Sequence, residues 1–336
     1  MSASSNPEAE NSGPRSWYRE LKRYETPSRP RSVLQILTTL VPYAVLWYLM
    51  FRAYSRSYLL VLPLLIPAAL LVVRSFILFH DCTHGSLFAS RRTNAIAGTL
   101  LGVLSFTPYA DWRRKHAMHH ATVANLDADE IGDVPIMTVA EYRSAPPARR
   151  FLYRLVRHPA FLFLVAPPFV FLVRYRWPAT ELDPPEWKSV LLTDLLIALY
   201  AFGMSLPAGL PAFLAIQLPV FYISTVIGFW LFYVQHNFRP GYRRRAAEWD
   251  RFDAAFLGSS FYRLPGLLNW FTASIGYHHL HHIRPRIPNY RLRECYRERP
   301  EVQVTPLTFR RSLESLTVRL WDEERGSHVS FREAGL

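Results

Sequence analysis

Three groups of histidines carry the chemistry open to this sequence: His80-Asp-Cys-Thr-His84, His116-Ala-Met-His119-His120 and His278-His279-Leu-His281-His282. On a helix, residues at i, i+3 and i+4 share one face. His80 therefore points with His84, His116 with His119 and His120, and His278 with His281 and His282. His279 is rotated ~100° from His278 and is expected to point elsewhere. With 12 histidines in 336 residues, a random HxxHH is expected roughly 0.015 times per chain, so two copies plus an HxxxH exceed chance. One buried histidine usually just satisfies a hydrogen bond in a core; eight in three same-face sets go beyond that.

Imidazole suits zinc, copper, iron and nickel, and a single structural zinc takes four ligands. Eight or more histidines fit two metals better than one. The two cysteines, Cys82 and Cys295, exclude a disulfide scaffold or a cysteine-based zinc ribbon. No glutamate lies inside a cluster, which disfavours a zinc hydrolase of HExxH type. A haem site would want single axial histidines facing each other across spans. His236, in FYVQHNF at the end of an apolar run, is a ninth candidate ligand because it reaches the same membrane face. His158 and His328 have no partners in the sequence and read as ordinary.

The elements that hold these residues follow from composition and patterning. Half the residues are hydrophobic, 15% are aromatic and 19% charged, and the net charge is +13. An apolar yet basic chain points to helices in lipid with cationic cytoplasmic flanks and excludes a disordered one. Apolar runs at 33–51 and 58–79 form one expected hairpin, and those at 189–206 and 213–235 a second. At ~1.5 Å per residue each approaches the ~30 Å hydrocarbon thickness. The uncharged connection at 207–211 reads as non-cytoplasmic, and Arg74 as snorkelling to the interface. Runs at 94–110 and 161–173 are shorter and read as interfacial or re-entrant. Residues 1–32, polar and then basic, lack a signal-peptide pattern and read as a mobile cytoplasmic tail before one domain over 33–336. Apolar residues at helical spacing over 306–322 suggest a cytoplasmic amphipathic helix.

HDCTHGSLF, TPYADWRRKHAMHH, FYVQHNF with EWD after it, and IGYHHLHHIRPRIPNYRL together resemble the membrane fatty acid desaturases, in particular the bacterial and plant omega-6, oleate-desaturase-like group. The resemblance covers roughly residue 74 to the end. It implies an all-α integral membrane protein: four transmembrane helices in two hairpins, with a cytosolic helical cap carrying a histidine-box di-iron centre. The family inserts a cis double bond into a fatty acyl chain using dioxygen and two electrons. Its ligand positions match His80, His84, His116, His119, His120, His278, His281 and His282, and His236 matches its extra histidine. No HPGG haem motif is present, so electrons are expected from a separate ferredoxin-like protein or b-type cytochrome. The substrate would be an acyl lipid or acyl thioester, and no nucleic-acid partner is expected. The expected place is a bacterial inner membrane, with both termini and the active site cytoplasmic.

The residues agree with that chemistry, since no side chain oxidises an unactivated methylene and the protein's part is orientation and exclusion of water. Nine nitrogens on two irons leave little room for bridging carboxylates, so acids would fix ring orientation from behind. Asp81, Asp111, Asp127, Asp129, Glu130 and Asp253 are the candidates. Phe76, Phe79, Phe88, Trp112, Phe232, Trp270 and Phe271 could line an apolar substrate slot. Arg113, Arg114, Lys115, Arg243, Arg244, Arg245, Arg284 and Arg286 crowd the clusters and are candidates for steering an acidic electron donor. Two rival readings are a fatty acyl hydroxylase or carotenoid ketolase on the same scaffold, and a non-catalytic membrane metal-binding or transport protein. The latter would want ionisable residues at mid-span, and the runs offer few.

Overall fold

The computed structural model describes residues 17–128, 132–177 and 184–336. Asp129 and Glu130, expected among the orienting acids, lie outside the described residues, as do residues 1–16. In chain order the main helices are α1 (Arg29–Tyr54), α2 (Leu62–His84), α3 (Arg91–Leu104), α4 (Tyr109–Thr122), α5 (Pro147–Val156), α6 (Ala166–Leu172), α7 (Pro184–Ser205), α8 (Gly209–His236), α9 (Arg251–Leu257), α10 (Gly266–Phe271), α11 (His278–Ile283) and α12 (Asn289–Glu298).

Four of them, α1, α2, α7 and α8, are long and apolar enough to cross a membrane, with 26, 23, 22 and 28 residues. At ~1.5 Å per residue they reach ~33–42 Å, enough for the ~30 Å hydrocarbon layer. Apolar side chains on them, such as Leu34, Tyr48, Leu195 and Phe202, are exposed. Helices apolar on all sides suit lipid rather than water. On the inner side, Tyr43, Trp47, Leu65, Ala68, Phe213 and Ile216 join α1, α2 and α8 in one core.

Two local features place the histidine-bearing ends. Gly85, at φ +68°, stops α2 one residue after His84: its N–H bonds to the Cys82 carbonyl and that of Ser86 to the Asp81 carbonyl. Glycine takes this left-handed conformation without a Cβ penalty. On α3, a Cβ at Gly98 would collide with the Tyr109 ring and one at Gly102 with the Thr107 carbonyl. The glycines thus let α3 lie close beneath the start of α4. With 14 residues, ~21 Å long, α3 is too short to cross. The run at 161–173 is a π-turn, Phe161–Val165, leading into α6. It forms with α5 a pair bent by 59°, a broken span or a re-entrant loop.

Three expectations need correction. Residues 17–32 are not a free tail: Leu21 and Tyr24 are buried against Leu280, Ile283 and Leu292. The apolar residues inside that basic stretch outweigh its charge. The amphipathic helix expected over 306–322 is confined to Phe309–Ser312 and a 3-10 turn, Leu313–Thr317. Leu320–Asp322 (β1) instead pairs antiparallel with Ser327–Val329 (β2). The Asp322 carboxylate accepts from the N–H groups of Glu324 and Arg325, and Gly326 turns at φ +59°. That turn chemistry overrides the helical spacing. Arg74 does not snorkel. It is buried beneath the ends of α1 and α10, donating to Thr39 Oγ1, Gln35 Oε1 and the Trp270 carbonyl.

Candidate metal centre

The last turns of α2 and α8, the second half of α4 and the whole of α11 converge at one end of the bundle. They bring nine imidazoles together in two neighbouring groups. The first comprises His80, His84, His116, His120 and His281, whose ligand atoms all lie within 4.8 Å of one another. The second comprises His119, His236 and His282, equally close. His278 borders it, its Nε2 2.9 Å from that of His236 and 3.1 Å from that of His282.

The groups cut across the sequence clusters. On α4, His116 and His120 join the first group and His119 the second. On α11, His278 and His282 side with the second group and His281 with the first. Residues four apart stay together, and the residue three along from the first of each pair serves the neighbouring group. His279 points away, as its helical position requires: its Nε2 is 2.9 Å from the Val302 carbonyl. His328 is held by the Phe238 carbonyl at 2.9 Å, beside Trp321.

The rings suit a cation better than they suit each other. Facing Nε2 atoms stand 3.1 Å apart for His116 and His120, 3.1 Å for His120 and His281, and 3.2 Å for His119 and His236. A neutral imidazole has one N–H, so these chains cannot satisfy every nitrogen. Both nitrogens of His80 and Nε2 of His84 are buried without a hydrogen-bond partner among the described residues. Two nitrogens bound at right angles ~2.1 Å from one ion would stand ~3 Å apart, which is the spacing present. Burial pushes His116, His120, His278, His281 and His282 well below the ordinary imidazole range, which keeps these five rings uncharged. His119 is lowered too, against an opposing pull from Asp133.

An apolar cavity of about 280 Å³ opens beneath the two groups. His80, His116 and His278 form its head, and it descends between α2, α6 and α8 to Val72, Ser105 and Phe221.

The fatty acid desaturase family model matches residues 56–311. The chain belongs to the fatty acid desaturase family. It is 42% identical to the fatty acid desaturase of Bacillus subtilis over 94% of this chain and 90% of that protein. A sn-1 acyl-lipid omega-3 desaturase (ferredoxin) of Synechocystis sp. is 30% identical over 66% of this chain and 62% of its own length. A chloroplastic omega-6 fatty acid desaturase of Spinacia oleracea is 25% identical over 77% of this chain and 59% of its own length.

In this desaturase the acids divide. Asp81 is buried behind the first group: its Oδ2 accepts from the backbone and side chain of Asn289 at 2.8 and 2.9 Å, and its Oδ1 is 3.6 Å from His80 Nδ1. Asp111 is buried too but binds Lys115 at 2.7 Å. Asp127 is on the surface in an ion pair with Arg245, away from the rings. Asp253 lies on α9, which packs against α11. The acid behind the second group is one that sequence reading passed over. The Asp133 side chain is buried, with Oδ2 4.0 Å from His119 Nδ1 and 3.9 Å from Arg243. Burial alone would raise its pKa, but His119, His236 and Arg243 together hold it below the ordinary carboxylate value. Its position directly before the apolar stretch Val134-Pro135-Ile136 was the available signal.

The basic residues also divide. Arg113, Arg114 and Arg286 are exposed, as a docking role requires. Arg243 is buried beside Asp133. Arg245 is tied to Asp127, Glu141 and Glu323, and Arg244 lies 4.0 Å from Glu248. Arg284 pairs with Glu25 at 3.2 Å and lies over the Tyr18 ring. Lys115 is engaged by Asp111. Arg243, Arg245, Arg284 and Lys115 therefore hold the fold rather than offer free charge. Of the aromatics, Phe76, Trp112 and Phe232 line the cavity, and Trp112 stacks on His116 with centroids 4.2 Å apart. Phe79 and Phe88 belong to the core behind it, Trp270 covers Arg74, and Phe271 packs on the α1–α2–α8 core.

Proposed function

We propose that the two histidine groups hold two irons, the first by His80, His84, His116, His120 and His281, the second by His119, His236, His278 and His282. The observation that carries this reading is the convergence of nine imidazole rings, with unmatched nitrogens, at the head of an apolar cavity. Iron bound there would supply the dioxygen activation that no side chain can. The chain's own residues do the rest. Asp81 and Asp133 stand 3.6 and 4.0 Å behind His80 and His119 and compensate positive charge there. Trp112 fixes the plane of His116. The walls of α2, α6 and α8 exclude water and keep one methylene pair of the acyl chain under the rings. In balance, two hydrogens leave that pair, two electrons and two protons come from outside, and dioxygen ends as two waters.

The spans form two hairpins, α1–α2 and α7–α8, with a histidine-bearing cap on the cytoplasmic side of a bacterial inner membrane. Basic flanks favour that side. The chain is one domain from residue 33 onward, with residues 17–32 clamped to it. The substrate is a fatty acyl lipid or thioester whose polar carrier stays at the cap. Electrons come from a separate donor of ferredoxin or small cytochrome type, steered by Arg113, Arg114 and Arg286.

The test is to express the chain in a host that makes only saturated and monounsaturated acyl chains and to map double bonds by mass spectrometry. New cis double bonds that need His84 and His236 support the reading. A hydroxylated product, or none from protein that holds iron, would refute it.

A further inference from the structure

One face of α8 lines the cavity: Phe221, Ser224, Thr225, Gly228, Phe232 and Gln235 recur at helical spacing and lead up to His236. Gly228 stands eight residues below His236, ~12 Å along the helix. Apart from proline, glycine is the least favourable residue in a helix interior. In membrane helices it usually marks a close approach of two backbones. No such approach exists among the described residues, because a Cβ built at Gly228 has none of their atoms within 4 Å. The missing side chain leaves open space, and that space belongs to the cavity.

We propose that Gly228 is a size filter for the methyl-terminal part of the acyl chain, an inference that rests on the reading of the cavity as the acyl site. The direction of the chain follows from burial. A polar carrier would lose its hydrogen bonds at this depth. The nearby hydroxyls of Ser224 and Thr225 are already engaged with the Phe221 and Tyr222 carbonyls. The methyl end therefore passes Gly228, and a side chain at this position shortens the room beyond the histidines. Gly203 on α7 is the matched control: it too has nothing within 4 Å of a built Cβ, but it is exposed on the outer face of the bundle.

The experiment supplies a host expressing wild type, Gly228→Ala, Gly228→Leu, Gly228→Phe or Gly203→Phe with a homologous series of saturated acyl chains. Products are measured by mass spectrometry. Gly203→Phe should keep the wild-type ratio of long-chain to short-chain product, and Gly228→Ala should lower it least of the Gly228 variants. Gly228→Leu should lower that ratio roughly tenfold and Gly228→Phe further, as loss of room for methylenes in an apolar pocket does, while the shortest chains are still converted. If the Phe variant does not accumulate, the Leu variant decides. An unchanged ratio in the Leu variant, or equal loss on every chain, overturns the filter while leaving the acyl reading intact. A wild type that converts no chain overturns both.

Discussion

The two histidine groups use the same side chain but are supported differently. The first draws on α2, α4 and α11 in two i, i+4 pairs and one single residue. Behind it stands Asp81, fixed by Asn289 at the start of α12. The second is assembled from α4, α8 and α11. His236 Nδ1 is 3.3 Å from the Gly258 carbonyl, and Asp133 sits between His119 and Arg243. The first is thus set largely by helix periodicity, the second by where distant segments of chain happen to return. One change in α4 or α11 touches both, since each feeds both groups.

Removing one ring that serves a single group separates the two. His84→Ala and His236→Ala should each abolish double-bond formation while the protein remains in the membrane. Substantial activity in His236→Ala would remove the second group from the chemistry and leave His236 a packing residue. Asp133→Asn is the next largest effect. Loss of such a supporting carboxylate typically costs 10–100-fold in metal affinity. The variant should lose metal from the second group on dialysis while the first retains its own, and Asp81→Asn should do the reverse. Parallel loss in both variants would mean that the groups are not separately supported.

Acid should act on both groups alike. Burial lowers the pKa of His116, His120, His278, His281 and His282, and it lowers His279 to about 4 and His328 to about 3. The unfolded chain, with histidines near ~6.5, takes up protons first, so stability present above that value is lost as the pH falls through it. The midpoint of thermal unfolding of metal-free protein in detergent should drop between pH 7.5 and pH 5. A midpoint that rises on acidification would contradict burial of neutral rings. The smallest expected effect is Arg114→Glu, which should raise by a few-fold the concentration of acidic donor needed for half-maximal rate, without changing metal content. The shift should fade with salt as the Debye length shortens from ~10 Å at 0.1 M. A donor dependence indifferent to both would remove Arg114 from docking.

What the sequence made legible was local. The apolar runs that become α1, α2, α7 and α8 are long enough to be recognised by composition alone. The three clusters announce themselves by spacing, and the periodicity that turns His279 away from the others is intrinsic to a helix. The partition of α4 and α11 between two groups was hidden, because it depends on which neighbour stands beside each face. Asp133 was passed over for the same reason: its meaning comes from His119 and Arg243, and Arg243 lies 110 residues further along the chain. Charge misled where it was read as surface. Arg74, Arg243 and Arg284 each look like interface or docking residues in the linear chain, yet each is held by partners far away in sequence. The hairpin at 320–329 defeated a helical pattern through the turn chemistry of Asp322 and Gly326.

Two metals side by side, one in each group, fix the stoichiometry of the protein. Metal per chain in protein purified without oxygen, for the wild type, His84→Ala and His236→Ala, is the deciding measurement. The two-group assignment requires about two irons in the wild type, as two sets of imidazole ligands would hold, and about one in each variant. One metal per wild-type chain, or a variant that loses neither, would contradict it.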